Sequence, residues 1–394
     1  MAARRVGVMV AALVALVGAA VGVGTDRAVA ASVVEVTGFG SNPGNLQMFR
    51  YVPDGLPGGR PLVVVLHGCT QNAAGYGTNS GWTRLADAHG FALVLPQQRS
   101  GNNSNSCFNW FETADTTRGQ GETLSVRQMV DRMRADVGST ATYVTGLSAG
   151  GAMTAVLLAT YPEVFAGGGI VAGIPYRCAT GLTGAFGCMN PGTDLTPAQW
   201  GDRVRAASQH TGARPKVSIW HGTADTTVRP MNAAELMQQW TNVHGTDQTP
   251  DASDSIGGHP RRVYGGVVET VDISGMNHGQ PVDPGTGPTQ CGSATAFILD
   301  VDVCAAYHMA RFWGLIGGSP PPPTSTTTTT PAPPAACFTD NNYNHVAAGR
   351  AHQSGGRVYA NGSNQAMGLY NTYERHTLKR TATNYYVLAD SGCP

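Results

Sequence analysis

Ser148 stands between two glycines in Gly146-Leu147-Ser148-Ala149-Gly150. A serine hydroxyl becomes a useful nucleophile when a sharp turn lifts it out of a sheet, beside a base and at a helix N-terminus. Two downstream stretches supply the missing groups: Asp225 in His221-Gly222-Thr223-Ala224-Asp225, and His278 in Met276-Asn277-His278-Gly279. In the order Ser, Asp, His these residues can carry acyl transfer. The imidazole takes the serine proton during attack on a carbonyl, and the carboxylate fixes the imidazole tautomer and stabilises its cation. The tetrahedral oxyanion needs two N–H donors. Ala149, directly after the serine, offers one, and the early loop at Cys69 or Thr70 offers the other. Asp87, Asp272, His67 and His221 compete for the acid and base roles but lie inside elements or ahead of a loop tip.

These side chains must be delivered by strands. Thr142-Tyr143-Val144-Thr145 is β-branched and aromatic, which suits a buried strand, and Ala149 to Tyr161 suits a helix that Pro162 ends. The spacing thus predicts strand, tight turn with Ser148 at its tip, then helix. Leu62 to Leu66 is a continuous aliphatic run, the pattern of a strand covered on both faces, and it leads into the polar loop His67-Gly68-Cys69-Thr70-Gln71-Asn72. A helix over Trp82–His89, a strand over Phe91–Pro96 and an amphipathic helix over Glu122–Val137 follow. Beyond the serine, strand-like and helix-like pieces alternate: Gly169–Ile174, Ala198–Ala207, Val217–Trp220, Ala233–Val243 and Val267–Ile273. Repeated alternation predicts an α/β fold, a doubly wound, mostly parallel sheet whose ligands gather at the strands' carboxyl ends. Asp225 and His278 both fall just past such ends.

Arg4 and Arg5 precede an apolar run from Val6 to Gly24, and Ala28-Val29-Ala30 offers a small-x-small cleavage site. Residues 1–30 are therefore expected to be a secretory signal peptide, which places the mature chain outside the cell and off the membrane. Only 13% of the residues are charged and the formal net charge is zero. Nothing here attracts nucleic acid or an anionic membrane by charge. The eight cysteines of an exported chain read as disulfides, because no C-x-x-C or Cys/His cluster suggests a metal. No cofactor is expected. Pairing neighbours suggests Cys69 with Cys107, Cys178 with Cys188, Cys291 with Cys304 and Cys337 with Cys393, one of roughly a hundred possible connectivities. A Cys69 bridge would hold the loop donor rigid. Trp110, beside Cys107 on a Gly/Asn/Ser-rich loop, reads either as a platform for an apolar ester chain or as a core tryptophan.

Taken together, Leu66-His67-Gly68-Cys69-Thr70-Gln71, Cys107-Phe108-Asn109-Trp110-Phe111, Gly146-Leu147-Ser148-Ala149-Gly150, His221-Gly222-Thr223-Ala224-Asp225 and Met276-Asn277-His278-Gly279 resemble the extracellular poly(3-hydroxybutyrate) depolymerases and related esterases. The resemblance spans roughly residues 33–316. It implies an α/β-hydrolase fold, the triad Ser148, Asp225 and His278, Cys69 at the oxyanion position and Trp110 on the substrate cleft. Feruloyl and acetylxylan esterases share much of this pattern, so a carbohydrate esterase is the alternative.

Gly317 to Ala336 holds four consecutive prolines and a threonine run, a composition for an extended spacer. Cys337 to Pro394 is then a separate unit, with a cysteine near each end and Phe338, Tyr343, Tyr359, Tyr370, Tyr373, Tyr385 and Tyr386 within it. Short β-strands are expected. The expected domains are thus 1–30, 31–316, 317–336 and 337–394. The last is a substrate-binding module, since exported depolymerases often carry one and the run from Tyr343 through Gly368-Leu369-Tyr370-Asn371 resembles it. An enzyme tethered to an aromatic module suits an insoluble polyester as partner, acting as a monomer. A reading of another class, a polymer-binding surface protein with an inactive catalytic domain, conflicts with an intact triad.

Overall fold

The computed structural model describes residues 31–317, 337–363, 365–382 and 385–392. The expected signal peptide over 1–30, the spacer beyond Gly317 and Cys393 lie outside them. The chain divides into two compact units between Pro320 and Pro321.

The larger unit is built on a ten-stranded sheet. Its strands are β1 (Val34–Val36), β2 (Gln47–Tyr51), β3 (Leu62–Leu66), β4 (Ala92–Gln97), β5 (Thr142–Leu147), β6 (Gly167–Val171), β7 (Lys216–Gly222), β8 (Ala252–Ile256), β9 (His259–Tyr264) and β10 (Val268–Ile273). Their spatial order is β1-β2-β4-β3-β5-β6-β7-β10-β9-β8. The run from β4 to β10 is parallel throughout, and antiparallel strands flank it on both sides. The sequence pattern reveals β3 and β4 most directly, because they are covered on both faces and read as near-continuous apolar runs, whereas β7 and β10 interleave Ser218, Glu269 and Asp272 with their apolar residues. The β8–β9 hairpin is not legible that way, since β8 is largely exposed and polar.

Side chains of β3 alternate between two cores. Leu62, Val64 and Leu66 join the helices Gly121–Val137 and Ala149–Thr160 on one face. Val63 and Val65 join Trp82, Met309 and Trp313 on the other. There Trp313 is stacked between Trp82 and Tyr143, at centroid distances of 5.8 and 5.2 Å. Every residue of the helix Ala149–Thr160 is buried, so it works as a core element rather than an amphipathic one.

The smaller unit forms two three-stranded antiparallel sheets, in keeping with the expected short strands. Ala351, Val358, Ala360, Met367, Leu378 and Tyr386 make its core. Phe338 packs edge-on against Tyr386, whereas Tyr343, Tyr370 and Tyr373 are exposed. Tyr359 stacks on His352. Cys337 is disulfide-bonded.

Candidate active site

β5 ends at Leu147 and the helix begins at Ala149, so Ser148 alone makes the turn, with φ 58° and ψ −117°. A non-glycine residue held in this region costs of order 1–3 kcal/mol and persists only where its surroundings enforce it. Here the Ser148 N–H donates to Val171 O at the end of β6 (2.9 Å), and Ser148 O accepts from the Ala152 N–H (2.8 Å). The flanking glycines are required by space. A Cβ on Gly150 would overlap the Leu66 carbonyl of β3, and one on Gly146 would overlap Gly150 itself.

Asp225 and His278 come from the loops after β7 and β10, which are neighbours in the sheet. The loops are stitched together: Ala224 N–H donates to Met276 O (3.0 Å), and Asn277 Oδ1 accepts from both Thr226 N–H (3.3 Å) and His278 N–H (2.8 Å). The result is a His278 Nδ1···Asp225 Oδ2 bond of 2.7 Å. A carboxylate can only accept, so Nδ1 carries the hydrogen and Nε2 is left as the basic nitrogen.

Asp225 is fully buried. Oδ1 accepts from the N–H groups of Thr227 and Val228, each at 2.9 Å. Burial pushes its carboxyl up, but the hydrogen bonds from His221, His278 and the Val228 backbone outweigh this and hold it well below the usual carboxylate range. His221, which lies inside β7, is thus a second histidine on the same carboxylate. Its Nε2 is 3.3 Å from Asp225 Oδ2 and 2.8 Å from Val228 O. Bonding to that carbonyl requires a hydrogen on Nε2, and Nδ1 is buried without a partner. His221 therefore braces Asp225 and has no nitrogen in the cleft.

The other competitors are engaged elsewhere. His67 is fully buried, with Nδ1 donating to Gly68 O (2.7 Å) and Nε2 accepting from Gln98 N–H (3.1 Å). Burial pushes its pKa down to about 4, so it stays neutral. Asp87 accepts from Tyr51 Oη at 2.7 Å, and Asp272 pairs with Arg262 at 2.6 Å.

Ser148 and His278 line one cleft of about 550 Å³ together with Cys69, Trp110, Phe186 and Phe297. No direct hydrogen bond joins the two; such bonds often tighten only around a bound substrate. No Asp, Glu, Lys or Arg lines this cleft, which suits a neutral, largely apolar ligand. Cys69 and Cys107 form a disulfide at its edge, as expected, and the pairs Cys178–Cys188 and Cys291–Cys304 are also formed. Trp110 is only 6% exposed and packs edge-on against Phe111 at 5.4 Å. It is a wall of the cleft rather than an exposed platform.

The exposed apolar contacts are others. Leu182 and Phe186, 54% and 63% exposed, sit on the helix Leu182–Met189. Leu182, Ala185, Phe186 and Met189 all face the cleft, and their spacing of three, four and seven is the one-sided helical pattern that could have revealed them.

A family model described as Esterase PHB depolymerase matches residues 46–258. Poly(3-hydroxyalkanoate) depolymerase C of Paucimonas lemoignei is 58% identical over 73% of this chain and 71% of its own length. An acetylxylan esterase of Coprinopsis cinerea is 36% identical over 64% of this chain and 70% of its own. Among solved structures, an acetyl xylan esterase from Aspergillus awamori superposes with a TM-score of 0.62 at 27% identity, over 72% of this chain and 99% of that one.

Proposed function

The chain belongs to the esterase PHB depolymerase family and is a carboxylic ester hydrolase, and from that premise we propose that it is exported and cleaves a short-chain polyhydroxyalkanoate such as poly(3-hydroxybutyrate). The observation that carries the catalytic part is the 2.7 Å His278–Asp225 bond beside Ser148 in a cleft without charged walls. His278 Nε2 takes the Ser148 proton as Oγ attacks the ester carbonyl and then returns it to the leaving alkoxide. Water, activated by the same imidazole, releases the acyl group. Ala149 N–H and Cys69 N–H stabilise the oxyanion. Cys69 is favoured over Thr70 because the Thr70 N–H is taken by Asn105 O at 2.6 Å.

The purified protein should clear a poly(3-hydroxybutyrate) suspension and leave feruloylated or acetylated xylan nearly untouched. The reverse preference would move the assignment to a carbohydrate esterase, the reading that the acetylxylan esterase relative supports.

Residues 31–316 form the catalytic domain on this reading, 317–336 a spacer and 337–394 a substrate-binding module. Tyr343, Tyr370 and Tyr373 are exposed there beside Leu369, and the Tyr343 and Tyr370 rings lie 5.5 Å apart. Deleting 337–394 should leave turnover of a small soluble ester unchanged while slowing attack on solid polymer by about 10²-fold at limiting enzyme, the size of a local-concentration effect. Apolar attachment persists at high salt, and alanine at Tyr343, Tyr370 and Tyr373 in the full chain should weaken it. Equal rates on solid polymer for both forms would remove the module from substrate capture.

A further inference from the structure

Glu122, in the first turn of the helix Gly121–Val137, is 1% exposed and forms no ion pair among the described residues. A buried carboxyl without a cation is costly unless hydrogen bonds compensate. Burial pushes this one well above the usual carboxylate range, with the Asp115 charge adding to it, while bonds from Asn109 and Gln98 act the other way. Those two bonds lead to the cleft. Gln98 Nε2 donates to Oε1 and Asn109 N–H donates to Oε2 at 3.0 Å.

From Gln98 the chain of bonds runs through its own N–H to His67 Nε2 (3.1 Å), and from His67 Nδ1 to Gly68 O (2.7 Å). From Asn109 it runs through Oδ1, which accepts from Asn103 Nδ2 (3.1 Å), to Asn103 Oδ1, which accepts from Asn105 N–H (3.0 Å) and Cys107 N–H (3.3 Å). Asn105 O in turn accepts from Thr70 N–H at 2.6 Å. One arm therefore ends on Gly68 and the other on Thr70, the two neighbours of Cys69, and Cys107 is the disulfide partner of Cys69.

We propose that Glu122, which touches no substrate, is a positioning residue that sets the place of the Cys69 N–H by anchoring both flanks of its loop. This rests on the reading of Cys69 as an oxyanion donor. The expected signature is a loss confined to states that carry the oxyanion, because a misplaced donor costs about 10² to 10³ in rate without altering ground-state contacts.

The test compares Glu122→Leu and Glu122→Gln with wild type, using 4-nitrophenyl butyrate and a straight-chain trifluoromethyl ketone. Ser148 Oγ adds to the ketone carbon while its proton passes to His278, leaving a hemiketal oxyanion in the hole. For Glu122→Leu, kcat should fall about 10²-fold with KM within about twofold, and trifluoromethyl ketone affinity should fall by the same factor. The matching methyl ketone should bind as before. Glu122→Gln keeps the volume and one acceptor but sets an NH₂ against one of the two donors, Gln98 Nε2 or Asn109 N–H, so its loss should be about tenfold. If the leucine variant does not fold, the glutamine variant carries the test. A folded variant of lower Tm with an unchanged ratio of the two ketone affinities overturns the proposal. A wild-type enzyme that holds both ketones equally would instead overturn the oxyanion reading itself.

Discussion

Ser148→Ala is expected to lower ester turnover by about 10⁴- to 10⁶-fold while leaving the fold and polymer adsorption intact. The hydroxyl adds little to packing, and the turn is held by its backbone: the Ser148 N–H bond to Val171 O is kept by alanine. The left-handed φ of 58° costs alanine about what it costs serine, so the stability change should be small. Labelling by a fluorophosphonate should disappear with the activity. A purified variant that retained a tenth of wild-type turnover would exclude Ser148 as the nucleophile.

Asp225→Asn is the next largest expected loss, about 10⁴-fold in kcat with KM nearly unchanged. An asparagine amide can offer an N–H toward His278 Nδ1, which turns the imidazole to the tautomer whose Nε2 is protonated and cannot accept from serine. The same change leaves His221 facing a neutral amide, so His221→Gln, which keeps a side-chain N–H, separates the two histidines. It should cost far less than His278→Gln if His221 only braces the carboxylate. Comparable losses would show that His221 shares the base role. Asp225 also sets part of the acid stability. Its folded pKa is depressed, so its contribution is complete above the unfolded value, near pH 4, and is lost as pH falls below it toward the folded value. Thermal unfolding of Asp225→Asn between about pH 4 and 2 should lack that part of the wild-type decline.

That Ser148, Asp225 and His278 follow strand ends was legible because the apolar residues of β5, β7 and β10 can be read locally, and the sheet brings those strand ends together by topology alone. His221 was misplaced by one element: β7 runs on through Gly222, which turns the histidine inward to Asp225 rather than onto the loop. Trp110 was ambiguous because a large aromatic signals burial without saying which edge meets a cleft. Asn277 and Glu122 were not legible as parts of the site. Their partners are 51 residues away at Thr226 and 24 residues away at Gln98, and hydrogen bonds of that range leave no periodicity in the chain. Leu182 and Phe186 did leave one, and their helical spacing within a Cys-bracketed segment is the signal that local reading passed over.

Because synthesis delivers the N-terminal part of a chain first, the strand order bears on when this protein becomes an enzyme. Ser148 sits behind β5 and can settle against β3 and β6 once those strands exist. His278 is made only after β8, β9 and β10, and it reaches its place through the pairing of β10 with β7 and β9. A nascent or prematurely ended chain that stops before Met276 therefore carries Ser148, the proposed nucleophile, without His278, its proposed base. On the proposed assignment, ester-cutting capacity waits for the last parallel strand pair of the sheet, β7 with β10, and an unfinished chain should leave esters uncut.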